Sequence, residues 1–390
     1  MSSQSGAAAV LVHTGGPTPV INASLLGVCE EARKHPEIKC LYGARFGFDG
    51  VLGENFIDLS NQKREVLEAI GRTPSSALGT SRRELSEEDL ERILAVLRAR
   101  SIGFLFCTGG NGSMETARQL WKLAGDTGYG LQVVGIPKTI DNDLMETHHT
   151  PGYGSTARFF ACAARDIGAD NRALPGQVEI IEVLGRNVGW LAAATSLARR
   201  NPEDAPHLIY FPERPLALDQ LLDDIHRVHK KLNRCVVAIC EGQLDERGEP
   251  FGADVRSGSR GSLAMNLGHR LAMLVSDRLK IRARSEKPGL LGRSSAASTS
   301  EADWSDSRLC GQRAVLAAIQ GKGGNMVTLL APGQPGEPSE TGLASLDRVA
   351  LRERHFPESW RNAASNDVLP EFRTFAEPLT GPIPLFQELE

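Results

Sequence analysis

Residues 131–143 read LQVVGIPKTIDND. The β-formers Leu131, Val133, Val134 and Ile136 run into Pro137, and two carboxylates two residues apart follow, Asp141 and Asp143. The run reads as a parallel strand, and open α/β sheets form their binding crevices at the carboxyl ends of such strands. One carboxylate held there can take a proton from a hydroxyl, and a second can hold Mg²⁺. Lys138 places a cation beside them. Two acids and a cation at a strand end suit phosphoryl transfer, whose catalysis is mostly positioning and charge neutralisation. Read alone, the segment is equally a polar turn after a core strand, so the rest of the chain has to decide.

Working outward, strand and helix patterns alternate, which predicts parallel sheets covered by helices. A strand over Ala7–His13 meets Gly15 and Gly16, then a helix over about 20–33. A strand over Gly103–Thr108 opens into Gly109 and Gly110 and a helix carrying Met114, Ala117 and Leu120. After the Pro137 strand come a helix near 155–167 and a second block. That block has strands over 178–184, 208–211 and 234–240, with a helix near 216–232. Residues 284–312, rich in Gly, Ser and Arg, interrupt the pattern before a helix at 312–320. Residues 333–340 (PGQPGEPS) read as a turn-rich loop, and the tail after Phe356, with five prolines, as an irregular wrap.

A chain of 390 residues exceeds what one core normally fills, so two domains are expected. A net charge of −4 without a basic block argues against a nucleic-acid partner. No apolar run approaches the ~20 residues of a membrane span, and the N-terminus lacks the basic flank and cleavage site of a signal peptide. The seven cysteines show no CxxC spacing and read as reduced, cytosolic core residues. His148–His149 reads as a polar surface pair rather than a ligand.

Gly15, Gly16 and the stretch Gly109–Ser113, which includes Gly110, Asn111 and Gly112, each lie between a strand and a helix. Glycines there let backbone N–H groups approach phosphate, and the helix N-terminus favours the anion. One GG turn is weak evidence; two at the sheet edge that carries Asp141 and Asp143 are stronger. Arg82 and Arg83 follow a turn; they can reach a transferring phosphoryl group, or equally be solvated charges at a helix start. In the second block Glu182, Gly185, Arg186 and Glu241 follow apolar strands, and a Glu after Cys235–Cys240 suits a hydroxyl-binding role. Arg284 and Arg293 lie in the Gly-rich stretch, where a bidentate guanidinium suits a substrate phosphate.

Six ordered motifs carry a resemblance: GGPTPVINAS (15–24), LGTSR (78–82), GGNGS (109–113), PKTIDND (137–143), EVLGRNVGW (182–190) and CEG (240–242). On these the chain resembles the 6-phosphofructokinases over about residues 8–330, close to their pyrophosphate-related branch. The resemblance implies two doubly wound α/β domains with the active site in the cleft between them. Residues 1–154 with about 295–355 would bind the donor phosphates, and 155–294 with the tail the sugar. It implies Asp141 as the base on the sugar 1-hydroxyl, Asp143 supporting metal and substrate, and Thr139 bonded to the reacting phosphate. Gly15 and Arg82 match donor contacts, Gly185, Arg186 and Glu241 sugar contacts, and Arg284 and Arg293 the phosphate-binding arginines. Because neighbouring subunits share such sites, a homodimer or homotetramer is implied, with Mg²⁺ as cofactor.

Departures from the family pattern bear on the substrates. The usual GGDGS is GGNGS, so a Mg²⁺ carboxylate becomes Asn111, a carbonyl ligand alone. Gly112 matches ATP-type enzymes, where pyrophosphate-type enzymes carry Asp, whereas Lys138 matches the pyrophosphate type and some ATP-dependent branches. Gln177 stands where the family has an Arg that holds the acceptor's 6-phosphate, a loss worth about 1.5–3 kcal/mol. Restoring Arg there is expected to lower KM for fructose 6-phosphate. Leu290 replaces the His of LGHIQRGG, and Leu25 and Cys29 replace effector-binding arginines. The resulting expectation is a cytosolic, Mg²⁺-dependent phosphotransferase using ATP and fructose 6-phosphate. The alternatives are pyrophosphate as donor, another sugar or cyclitol as acceptor, or a catalytically reduced sugar-phosphate binder. A dinucleotide oxidoreductase is disfavoured, because no GxGxxG with a distal acid follows the first strand.

Overall fold

The computed structural model describes residues 6–251, 266–331, 339–384, 386 and 387. The chain divides into two compact units, Met1–Tyr153 with Glu301–Arg354, and Gly154–Ser300 with His355–Glu390.

The first unit begins with β1 (Ala7–His13), α1 (Ile21–Ala32), β2 (Ile38–Ala44), the short helix α2 (Phe48–Leu52), β3 (Phe56–Asp58), α3 (Arg64–Gly71) and α4 (Glu87–Ala99). It continues through β4 (Ile102–Gly109), α5 (Asn111–Asp126) and β5 (Gln132–Pro137). β1 pairs in parallel with both β2 and β4, and β4 in parallel with β5, Gly109 opposite Pro137. These strands are apolar on successive residues because both faces are covered. Val10, Val12, Leu105 and Cys107 face one core, Ala9, Leu11, Phe106 and Val134 the other.

In the second unit α6 (Tyr153–Ala173) leads to β6 (Gln177–Val183), α7 (Trp190–Ala194), β7 (Leu208–Tyr210), α8 (Leu218–Leu232), β8 (Cys235–Cys240), α9 (Leu267–Leu279) and β9 (Arg282–Glu286). The sheet order is β7-β8-β6-β9, with every pairing parallel. The chain then returns to the first unit as α10 (Glu301–Ile319), β10 (Asn325–Leu329), β11 (Thr341–Ser345) and α11 (Leu346–Val349). The larger sheet is thereby completed in the order β11-β10-β5-β4-β1-β2-β3, antiparallel only at its two edges.

Three sequence expectations are corrected here. The stretch 284–312 is not an interruption: β9 precedes it, and α10 starts at Glu301, eleven residues before the expected Gln312. Its first turns escape a periodicity reading because Asp303, Asp306 and Ser307 are buried polar residues with distant partners. Asp303 Oδ1 accepts the Gly152 N–H at 2.8 Å, and the Ser307 hydroxyl donates to the Val20 carbonyl at 2.7 Å. Asp306 Oδ2 lies 2.8 Å from His149 Nε2, which places His149 in the interior at 1% exposure rather than on the surface. The tail is not an irregular wrap: it carries α12 (Pro370–Thr380), with Pro370 at the first turn where its missing N–H costs nothing. Phe356 stacks on Phe211 with centroids 5.2 Å apart, and Trp190, Trp360, Phe372 and Phe375 close an aromatic core around it. Most of the expected loop at 333–340 lies outside the described residues.

Helices α1 and α10 cross at two glycines. A Cβ on Gly27 would fall 2.0 Å from the Arg308 carbonyl oxygen, and one on Gly311 2.1 Å from that of Ser24. Leu25 and Cys29, on the same helix, are core residues at 1% exposure. All seven cysteines are free; Cys29, Cys107, Cys235, Cys240 and Cys310 are buried, Cys40 and Cys162 half-buried. No helix among the described residues is long and apolar enough to cross a membrane.

Candidate active site

The carboxyl ends of the adjacent strands β1, β4 and β5 bring three loops to one edge of the larger sheet. Lys138, 4% exposed, ties two of them: its Nζ donates to the Gly16 carbonyl at 2.7 Å and its backbone N–H to the Gly109 carbonyl at 3.0 Å. The Thr14 hydroxyl lies 2.5 Å from Ser113 Oγ, joining the glycine loop after β1 to the first turn of α5. That helix has Gly110 at its N-cap and no side-chain cap, so its N-terminus can receive an anion. A Cβ built on Gly112 would meet nothing within 4 Å. The Gly15 N–H donates to the Ser81 carbonyl at 3.0 Å, which draws in the segment carrying Arg82. Arg82 is exposed; Arg83 instead pairs with Asp89 at 2.8 Å, the acid that boxes the N-terminus of α4 with Ser86. Beneath the β1 loop His13 is fully buried, and burial, helped by the Lys138 charge, brings its pKa down to about 3.

The acids follow β5 in a loop that folds back on itself. The half-buried Asp141 donates its backbone N–H to Thr139 Oγ1 at 3.1 Å, and the Thr150 hydroxyl donates to the Thr139 carbonyl at 3.0 Å. Asn142 takes φ +59, in the left-handed region that Asn tolerates, and its buried Oδ1 accepts the Thr150 N–H at 3.1 Å. Asn111 Nδ2 donates to Asp143 Oδ2 at 2.9 Å. The amide oxygen Asn111 Oδ1 and the second carboxylate oxygen Asp143 Oδ1 are both buried without a hydrogen-bond partner. Burial, with Glu353 nearby, pushes the Asp143 carboxyl above its usual range against the opposing bonds from Thr139 and Asn111. Two orphaned hard oxygens fit Mg²⁺, which takes one or two carboxylates and fills its shell with water and phosphate oxygens. No group of three or more His, Cys, Asp or Glu that could hold a metal occurs among the described residues, so no all-protein cage competes with that arrangement.

In the second unit the loops after β6 and β8 form a separate group. They approach so closely that a Cβ on Gly242 would fall 1.4 Å from the Arg186 carbonyl oxygen. Gly185 has φ +134 and Arg186 φ +44, and burial pushes the Glu241 carboxyl upward, opposed by Lys287, Arg186 and the Gly185 N–H. Lys287, which follows β9, donates to Glu182 Oε1 at 2.5 Å; Glu182 Oε2 takes the Gly268 N–H at the start of α9. Glu182 therefore secures the group from beneath. Lys287 lies within the stretch 284–293, and no local pattern marks it, because its partner Glu182 is 105 residues away. Arg284 is exposed on the edge strand β9, opposite the buried Glu179, and Arg293 closes a short turn in which Leu290 and Leu291 are exposed. Gln177 is 1% exposed, with neither amide atom bonded.

A parallel α/β sheet with paired acids and two glycine loops at one edge defines a phosphoryl-transfer class of protein. The phosphofructokinase family model matches residues 8–318, and the chain belongs to that family. It is a phosphotransferase of the phosphofructokinase type. It is 38% identical over 388 residues to the pyrophosphate–fructose 6-phosphate 1-phosphotransferase of Rhodospirillum rubrum, covering 95% of this chain and 94% of that protein. It is 33% identical over 318 residues to the sulfofructose kinase of Alkalicoccus urumqiensis, covering 81% of each. The crystal structure of a pyrophosphate-dependent phosphofructokinase from Nitrosospira multiformis superposes with a TM-score of 0.89 at 30% identity, covering 99% of this chain and 95% of that one.

Proposed function

We propose that the chain transfers the terminal phosphoryl group of ATP to the 1-hydroxyl of fructose 6-phosphate, giving fructose 1,6-bisphosphate and ADP. The observation that carries the donor is the open space at Gly112: nothing stands where a side chain would meet the α-phosphate of a nucleotide on the N-terminus of α5. Asp141 takes the hydroxyl proton as the new P–O bond forms, and the bond to the leaving ADP oxygen breaks. Thr139, Lys138 and Arg82 meet charge on the transferring group, and the backbone of Gly15, Gly16 and Gly110–Ser113 holds the donor phosphates. Asn111 Oδ1 and Asp143 Oδ1 would hold Mg²⁺, which neutralises phosphate charge when bound. The first unit is thus read as the donor side. The second is read as the acceptor side, with Gly185, Arg186 and Glu241 on the sugar and Arg293 on its phosphate. Arg284, exposed on an edge strand, supports a homodimer or homotetramer in which it serves a neighbouring copy.

Lys138 and the similarity to pyrophosphate-dependent enzymes over nearly the whole chain favour a second reading, with pyrophosphate as donor. The similarity to a sulfofructose kinase favours an acceptor whose distal group is not the usual phosphate. A coupled assay crossing ATP and pyrophosphate with fructose 6-phosphate, sulfofructose and a cyclitol panel separates these readings. The expected outcome is a higher kcat/KM for ATP with fructose 6-phosphate than for any other pair; a higher value with pyrophosphate defeats the donor reading.

A further inference from the structure

The loop that presents Asp141 and Asp143 is gripped by a residue from outside the stretch that the family model matches. Arg354, thirty-six residues beyond residue 318, sets its guanidinium against backbone carbonyls at both ends of residues 142–148. Its Nε and Nη2 donate to the Asn142 carbonyl at 3.0 and 2.8 Å. Its Nη1 donates to the His148 carbonyl at 2.7 Å and to that of Thr147. Its own backbone N–H donates to the Asp143 carbonyl at 2.8 Å, beside an antiparallel bridge between Leu144 and Glu353. The carbonyl oxygens of two consecutive residues, Asn142 and Asp143, are therefore held by one residue, directly after Asp141. Asn142 takes a left-handed φ of +59, which Asn tolerates, and its Oδ1 accepts the Thr150 N–H at 3.1 Å, so the same loop is also tied from within.

We propose that Arg354 is a positioning residue for phosphoryl transfer: by bonding the carbonyls of Asn142, Thr147 and His148 it holds the 139–150 loop in the shape that presents Asp141 and Asp143. The planar fork suits this work, since its N–H groups point in fixed directions to separate carbonyls, which an ammonium cannot imitate. Burial pulls the guanidinium down to about 10, with Tyr153 and Asp143 opposing, so it stays protonated at neutral pH and keeps its donors. Near-attack geometry is sensitive to such support: a shift of ~1 Å caused from outside the chemistry costs about 10²-fold in rate.

The inference rests on the reading of Asp141 as the base, so the full-length chain is compared with Arg354→Ala, Arg354→Lys and Asp141→Asn. Kinetics are measured where each variant is folded by circular dichroism, with hydrogen exchange followed over residues 139–150. In Arg354→Ala, kcat is expected to fall on the order of 10²-fold with KM for both substrates within about threefold. Exchange in the loop should quicken by about tenfold or more while β1 and β4 keep their protection. Arg354→Lys should fall between the two, and it carries the same readings if Arg354→Ala does not fold. Parental kcat in the Arg354 variants, or unchanged exchange in the loop, overturns the proposal. Protection lost throughout the unit with kcat per folded molecule retained assigns Arg354 to stability alone and overturns it too. Turnover kept in Asp141→Asn defeats the reading of the base; turnover lost there but kept in the Arg354 variants defeats only the clamp.

Discussion

Asp141 and Asp143 are two residues apart and differ in what surrounds them. Asp141 is half-buried at the loop surface, whereas Asp143 is held among Asn111, Thr139 and Glu353. Asp141→Asn is expected to cut turnover by roughly 10²–10⁴ while sugar binding persists, and a change within threefold in stopped-flow turnover removes the assignment. Asp143 behaves oppositely in the metal-free protein. Its raised pKa means that protonation favours the fold, a stabilisation lost as pH rises through the folded value. Asp143→Asn should therefore raise the metal-free Tm at pH 7 by about 2 °C or more, while Mg²⁺ no longer raises it further. Gly112→Asp should lower kcat/KM for ATP by about 2.7 kcal/mol, a hundredfold, and leave pyrophosphate nearly untouched. Equal effects on both donors would argue against the nucleotide. Gln177→Arg, expected from the sequence to restore a phosphate contact, has a different outcome once its burial is known. A guanidinium at a position 1% exposed has to be desolvated, so the measured change should be a lower Tm, not a lower KM.

At the scale of elements, the strands that stop at glycine or proline were legible, and so were the loops they feed. β1 stops two residues before Gly15, and β4 and β5 end on Gly109 and Pro137; their apolar runs are legible because a strand covered on both faces carries its signal in successive residues. Helix α10 was half invisible because Asp303, Asp306 and Ser307 turn inward to partners more than 140 residues away, which no local pattern records. Arg354 was invisible for the same reason. The crossing of α1 and α10 is the element most exposed to substitution. Gly27→Ala or Gly311→Ala puts a methyl within about 2 Å of backbone oxygen, where no side chain can rotate away. Overpacking usually costs about 1–3 kcal/mol, and a backbone clash belongs at the upper end, so urea midpoints should fall clearly for either variant.

For the whole molecule, acid is the weak side. Burial leads the depression of three histidines: His13 to about 3, and His148 and His207 each to about 4. Groups depressed in the fold stabilise it above their unfolded value and lose that contribution as pH falls toward the folded one. Asp143, Glu179, Glu213 and Glu241 are raised by burial and work in the other direction. The histidine shifts are the large ones, so Tm should decline from about pH 6.5 toward pH 4. A flat profile over that window would mean that these imidazoles reach water or partners when protonated.

The distribution of the thiols gives the molecule a built-in pair of labelling positions. Five are sealed; burial raises the Cys29 and Cys107 thiols to about 12 and lifts those of Cys235 and Cys310 well above the usual range too, so these four offer almost no thiolate to an electrophile. That leaves Cys40 in one unit and Cys162 in the other. A maleimide under native conditions should add twice, more slowly at Cys162, whose thiol burial also raises, and seven times after denaturation, as intact mass can count. The wild-type chain would then carry one dye in each unit without any engineered cysteine, ready to report whether nucleotide or sugar changes the distance between them.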